Sequence, residues 1–130
     1  MIANKQRRFF LAPLLATLLM AGCAETIAPT ALDPSKAREA LKTTLETWKK
    51  GDAPDTLKTA SPAITAQDLD WLSGAKLVDY QIKDDGKGID SNLKVPVQLT
   101  MKSKDGKDVV KNVHYLVTTS PSLTVFRSFP

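Results

Sequence analysis

One thiol and one imidazole bound the chemistry open to this chain: Cys23 is the only cysteine and His114 the only histidine in 130 residues. A zinc or other transition-metal site draws several ligands from these two residue types, so none is expected. Asp84-Asp85-Gly86-Lys87-Gly88-Ile89-Asp90 gathers three carboxylates, but it lacks the alternating ligand spacing and closing Glu of a calcium loop. It reads as a solvated hairpin loop. No Ser stands in a Gly-x-Ser-x-Gly turn, and the pair Gly86 and Gly88 lacks a phosphate-binding pattern. Hydrolase and nucleotide-binding chemistry are set aside, and no catalytic residue or cofactor is expected.

What the single Cys does depends on what precedes it. Lys5, Arg7 and Arg8 stand without an acid before an apolar stretch, Phe9 to Gly22, broken only by Pro13 and Thr17. These are the charged and hydrophobic regions of a secretory signal. As a helix, such a run of about 14 residues spans roughly 21 Å, short of the roughly 30 Å hydrocarbon core. The stretch ends in Leu19-Met20-Ala21-Gly22-Cys23, which resembles a lipobox, with Met20 where Leu is commonest. The resemblance implies cleavage between Gly22 and Cys23, lipid on the Cys23 sulfur, and a membrane as partner through that lipid. A lone thiol in an exported protein otherwise has no internal disulfide partner and is an oxidation liability. Two or more acyl chains give stable attachment where one gives only marginal binding.

Arg7-Arg8-Phe9-Phe10-Leu11 is also similar to the twin-arginine export motif. Ordinary signal charge accounts for the same two arginines, and both export routes stay open. Ala24 is not the Asp that often retains lipoproteins in the inner membrane, so the expected location is the outer membrane, facing the periplasm.

The formal net charge of +4 suggests a basic protein, but 3 of the 18 Lys and Arg and none of the 14 acids lie before Cys23. From Cys23 onward the excess falls to one positive charge. That gives no support to nucleic-acid binding, which calls for a basic patch on the folded domain.

The spacing divides the chain into a signal peptide (1–22), an acylated Cys with a short tether (23–33) and one domain (34–130). Asp33-Pro34 predicts a helix start, with Asp as N-cap and Pro at the first helical position. Ala37, Leu41, Leu45 and Trp48 follow at helical spacing, and Gly51 ends the run. The segment 52–62 reads as a loop with one helical turn around Asp55 to Thr59. Thr65-Ala66-Gln67-Asp68 reads as a capping box opening a short helix from Ala66 to Leu72, with Ile64 stapled onto Leu69.

Four strands are then predicted at 76–83, 92–102, 108–119 and 123–129. Leu93, Val95, Val97, Leu99 and Met101 share one face of the second. A three-residue turn, Lys104-Asp105-Gly106, keeps that face in register with Val113, Tyr115 and Val117. Pro96 removes one ladder N–H, which implies an edge or a bulge. For the final strand, Leu123 and Val125 or Phe126 could face the core.

The expected fold is α+β: one long N-terminal helix and a short helix packed on a curved four-stranded antiparallel sheet. This element order, with Trp48-Lys49-Lys50-Gly51-Asp52 closing the first helix, resembles the NTF2-like (cystatin-like) superfamily as found in small uncharacterised bacterial lipoproteins. The resemblance implies a conical pocket between sheet and helices, for which Trp48, Tyr80 and Tyr115 are the candidate lining. It also implies an outer sheet face suited to a homodimer, here Pro96, His114 and Leu116. No acid shares the predicted inner face of the strands, so a filled core is expected over a pocket able to abstract protons. The function expected from these residues is a non-enzymatic binding or structural module on the envelope. The alternative is a small-molecule-binding or ketosteroid-isomerase-like domain.

Overall fold

In the computed structural model, residues 32–129 are described, so the signal, Gly22, Cys23 and the start of the tether lie outside them. Asp33 caps α1 (Pro34–Lys49), its carboxylate accepting the Lys36 N–H at 3.1 Å, and Pro34 takes the first turn, where a missing N–H costs nothing. Ala37, Ala40, Leu41, Leu45 and Trp48 form its buried stripe. Thr44 is also buried, its hydroxyl donating to the Ala40 carbonyl at 2.8 Å. Leu32, assigned from the sequence to the tether, packs against the core.

The fold is α+β, with few helices and a mixed sheet curled into a half-barrel. It corrects the expectation of four antiparallel strands. The strands are β1 (Ile64–Gln67), β2 (Lys76–Ile82), β3 (Lys87–Ile89), β4 (Asn92–Lys102), β5 (Asp108–Thr118) and β6 (Leu123–Ser128). Their order is β1-β6-β5-β4-β2, with β3 also on β4. β1 runs parallel to β6, Ile64 opposite Leu123 and Ala66 opposite Val125.

The segment expected to cap a helix at Thr65 is this strand. Its backbone pairs with Thr124 to Phe126 and Ile64 is buried, and the cap moves three residues on to Asp68, which opens α2 (Leu69–Leu72). Between Pro54 and Thr59 the chain makes a 3-10 turn.

The β4–β5 register follows the alternation: Leu93 faces Val117, Val95 faces Tyr115, Val97 faces Val113 and Lys102 faces Asp108. Gly106 takes φ +84° in the three-residue turn, and the Ser103 N–H closes it on the Lys107 carbonyl at 2.9 Å. In β6, Leu123 and Val125 are buried and Phe126 is exposed, which fixes the face left open by the sequence.

Pro96 lies in a central strand, and it is the neighbour that gives way. The Lys83 N–H reaches the Pro96 carbonyl at 2.9 Å, so the donor Pro96 lacks falls on the same side, toward β2 and β3. There the ladder breaks, resuming with Lys87 opposite Lys94. A second irregularity, at Val78, turns that side chain out to solvent while Leu77, Tyr80 and Ile82 stay paired with Met101, Leu99 and Val97. Tyr80 therefore shares a face with Ile82 and not with Val78, which strict alternation along β2 would have put on that face as well.

The break returns to the sheet through Gly86, at φ +88°, whose N–H is held by the Asp84 carboxylate at 2.8 Å. A Cβ there would lie 2.9 Å from Val95 Cγ2 and 3.0 Å from the Lys94 carbonyl oxygen, whereas one at Gly51 (φ +92°) would meet nothing within 4 Å. Gly51→Ala should cost about 1 kcal/mol from backbone strain alone, and Gly86→Ala about 2–3 kcal/mol because strain and overlap add. Urea unfolding of the two variants checks the order; equal costs would mean the Gly86 turn moves away freely.

Candidate functional site

Between β1 and β2 the chain passes from one edge of the sheet to the other, and α2 occupies that crossing. Its N-cap, Asp68, is 3% exposed. One carboxylate oxygen, Oδ1, accepts the backbone N–H groups of Asp70 (2.9 Å) and Trp71 (3.3 Å). The other, Oδ2, accepts the Tyr115 hydroxyl at 2.5 Å and Arg127 Nη1 at 3.3 Å. Arg127 Nη2 also reaches Asp70 Oδ2, and Lys111 Nζ meets the same carboxylate at 3.1 and 3.2 Å. The cluster thus joins α2 to the middle of β5 and the end of β6.

An ionised carboxylate offers about four lone-pair positions, and all those of Asp68 are occupied. Tyr115 is buried, and the loss of solvation, together with the neighbouring Asp68 charge, pushes its phenol far above the ordinary range. This is a satisfied buried ion pair that holds Tyr115 as a hydrogen-bond donor. Both oxygens of Asp68 and the Tyr115 hydroxyl proton are committed within the cluster. The expectation concerned acids on the strands alone; the acids of this cluster come instead from the start of α2.

The signal that could have located the cluster is Arg127 itself. Once Leu123 and Val125 face inward, period-two alternation puts Arg127 on the inner face, where a cation needs a carboxylate partner.

Trp48 and Trp71 stack with centroids 5.5 Å apart and planes at 13°. Trp48 Nε1 donates to the Ala75 carbonyl at 2.9 Å and Trp71 Nε1 to the Asp52 carbonyl at 3.1 Å, so each buried indole meets its polar requirement on backbone. Beside them lies a surface cleft of about 390 Å³ bordered by Pro54, Leu72 and Ala75.

The three candidate pocket residues do not meet. Trp48 borders that cleft, Tyr115 is enclosed over Asp68, and Tyr80 lines a separate shallow groove with Asp79 and Gln98. The Tyr80 hydroxyl donates to Glu46 on α1 at 2.5 Å. Desolvation first, then the hydrogen bond to Glu46 and its charge, raise the Tyr80 phenol to about 12.

On the outer face Pro96 pairs with His114, and Leu116 stands between Lys94 and Phe126, so the three candidate interface residues do lie together. His114 is exposed and Leu116 half-buried. Among the described residues no group of His, Cys, Asp and Glu is placed to hold a metal ion. Nor is any helix there long and apolar enough to cross a membrane. No protein-family model, curated protein or solved structure matches the chain.

Two measurements follow from the cluster. Arg127→Met strands Asp68 and Asp70 without their shared cation and should cost about 3–5 kcal/mol. Tyr115→Phe removes a single donor and should cost about 1–3 kcal/mol. Denaturant unfolding checks both; a loss under 1 kcal/mol for Arg127→Met would deny the cluster its structural role.

The second measurement is a phenolate titration followed near 295 nm, and the chain's two tyrosines make it simple to assign. A phenol raised above its unfolded value of about 10 stabilises the fold fully below pH 10, and that contribution fades as pH climbs through the folded value. For Tyr80 the loss falls between pH 10 and about 12. The native chain should show no tyrosine midpoint near 10, and Glu46→Gln should bring Tyr80 down toward it.

Proposed function

We propose that the chain is a lipoprotein of the cell envelope, held to the membrane by acyl chains on Cys23, whose domain serves as a non-enzymatic binding or structural module. The observation that carries this reading is the position of the only thiol, directly after Ala21-Gly22 at the end of an apolar run with a basic start. Support for a non-enzymatic role comes from the domain: its one strongly buried charge cluster has every lone pair of Asp68 engaged. An acid–base catalyst has to keep one free for substrate. A near-neutral domain from Cys23 onward fits a protein or membrane setting and not nucleic acid. Outer-membrane residence, facing the periplasm, remains the favoured location because Ala24 follows the Cys. An NTF2-like (cystatin-like) relationship is the finer reading of the fold, supported by a helix set against a curled sheet.

The alternative, a small-molecule-binding or isomerase-like domain, rests on the cleft beside Trp48 and Trp71. These are the chain's two tryptophans, so their fluorescence is a clean reporter. Apolar ligands, steroids among them, that leave the emission unchanged at saturation would end that reading.

The lipoprotein proposal is tested by mass spectrometry of the mature N-terminus after expression in a diderm bacterium and detergent extraction. A chain beginning at Cys23 and carrying two or three acyl groups is expected. An unmodified Cys23, or cleavage at another bond, overturns the proposal.

A further inference from the structure

A sheet that does not close into a barrel leaves backbone groups unpaired at its edges, and most proteins defend them. Among the described residues this sheet has three such edges. β1 is only four residues long and the 3-10 turn Pro54–Thr59 packs against it. The β2 and β3 edge is interrupted twice, at Val78 and after Lys83. The third edge belongs to β5. β6 pairs with His114 to Thr118 only, so Asp108 to Val113 has β4 on one side and no strand on the other. That stretch is regular, with an unbroken register against β4.

The geometry also says which groups are free. Ser103 and Lys107, an odd pair, exchange a hydrogen bond across the turn, and the Pro96 carbonyl points away from β5. Along β5, therefore, odd residues bond to β4, and Asp108, Val110 and Asn112 aim their N–H and C=O groups outward. Val110 is 59% exposed.

We infer that this edge is a homodimer interface, in which β5 of one copy pairs antiparallel with β5 of a second copy about a two-fold axis at Val110. The occupant is argued from charge and register. Only outward-facing residues can exchange bonds, so the pairing must match Asp108, Val110 and Asn112 among themselves. A two-fold at Asp108 sets Asp against Asp. One at Val109 sets Lys107 against Lys111, and one at Lys111 sets Lys against Lys; like charges directly opposite destabilise a pair. A two-fold at Asn112 needs His114, which β6 already holds through Ser128.

The two-fold at Val110 alone avoids all of these. It places Val110 against its own copy, Asp108 against Asn112, and Val109 against Lys111. Each of the three outward pairs then exchanges two backbone bonds. The interface lies along the sheet edge, apart from the outer-face patch of Pro96, His114 and Leu116.

The test uses the full-length chain carrying Cys23→Ser, so that an added thiol stands alone. Sedimentation should show a dimer. Val110→Cys should crosslink between copies under mild oxidation, while Ser91→Cys, in the exposed turn between β3 and β4, should not. Asn112→Pro removes only an outward N–H and should weaken the dimer about tenfold or more. Val110→Lys, which sets like charges on the axis, should abolish it. Circular dichroism checks that both variants stay folded. A chain that sediments as a monomer throughout the micromolar range overturns the inference. So does a dimer that survives Asn112→Pro and Val110→Lys, or one broken by Leu116→Lys alone.

Discussion

A carboxylate removed from water must be met on every side or it is a heavy loss, and the way Asp68 is met organises the molecule. Two of its bonds fix the first turn of α2, one fastens Tyr115 on β5, and one fastens Arg127 on β6. The desolvation penalty for a buried ion amounts to several kcal/mol, so this arrangement adds little net stability by itself. Its effect is on uniqueness. Shifting β6 by one residue would turn Arg127 outward and leave two acids without their shared cation. The charge cluster thereby enforces the register that the hydrophobic residues Leu123 and Val125 already favour.

The saturation that makes Asp68 a good anchor makes it poor machinery. Reactive acids and bases keep part of their hydrogen-bonding capacity for a substrate, and their affinity for protons lies near the working pH. The buried phenol of Tyr115 has been moved in the opposite direction, deep into its protonated form. The Trp48–Trp71 stack follows the same logic, with both indole N–H groups already committed to backbone carbonyls. In both places the hydrogen-bonding capacity is used up inside the fold.

Elements with strong local signals could be read from the sequence. The Asp33-Pro34 start, the Gly51 end and the five-residue alternation in β4 each rest on interactions within a few positions, and the Gly106 turn follows from matching two alternations. β1 could not be read in this way. The four residues of β1, Ile64–Gln67, give only Ile64 and Ala66 as a periodic signal, while Thr65 and Asp68 are both good helix caps. The choice between cap and strand depended on β6, which lies far along the chain. Trp48, Tyr80 and Tyr115 do not meet in one pocket because each has its own partner: Trp48 stacks on Trp71 and donates to Ala75, Tyr80 donates to Glu46, and Tyr115 donates to Asp68. Asp68 and Arg127 stand 59 positions apart; alternation along β6 turns Arg127 inward, but nothing local says which acid it meets.

The parallel pairing of β1 with β6 has a consequence for the order in which the fold assembles. Strands β2 and β3 both pair with β4, and β4 pairs with β5, over short stretches of chain, but β1 emerges from the ribosome early and has no partner until β6 has followed. Throughout that interval Ile64 stays unpaired and the acids of α2 wait for their arginine. Contacts of such long sequence separation raise the contact order and delay closure until loop entropy has been overcome. Closure of the sheet at β1 and of the cluster at Asp68 both wait on β6, the strand that carries the partner of each.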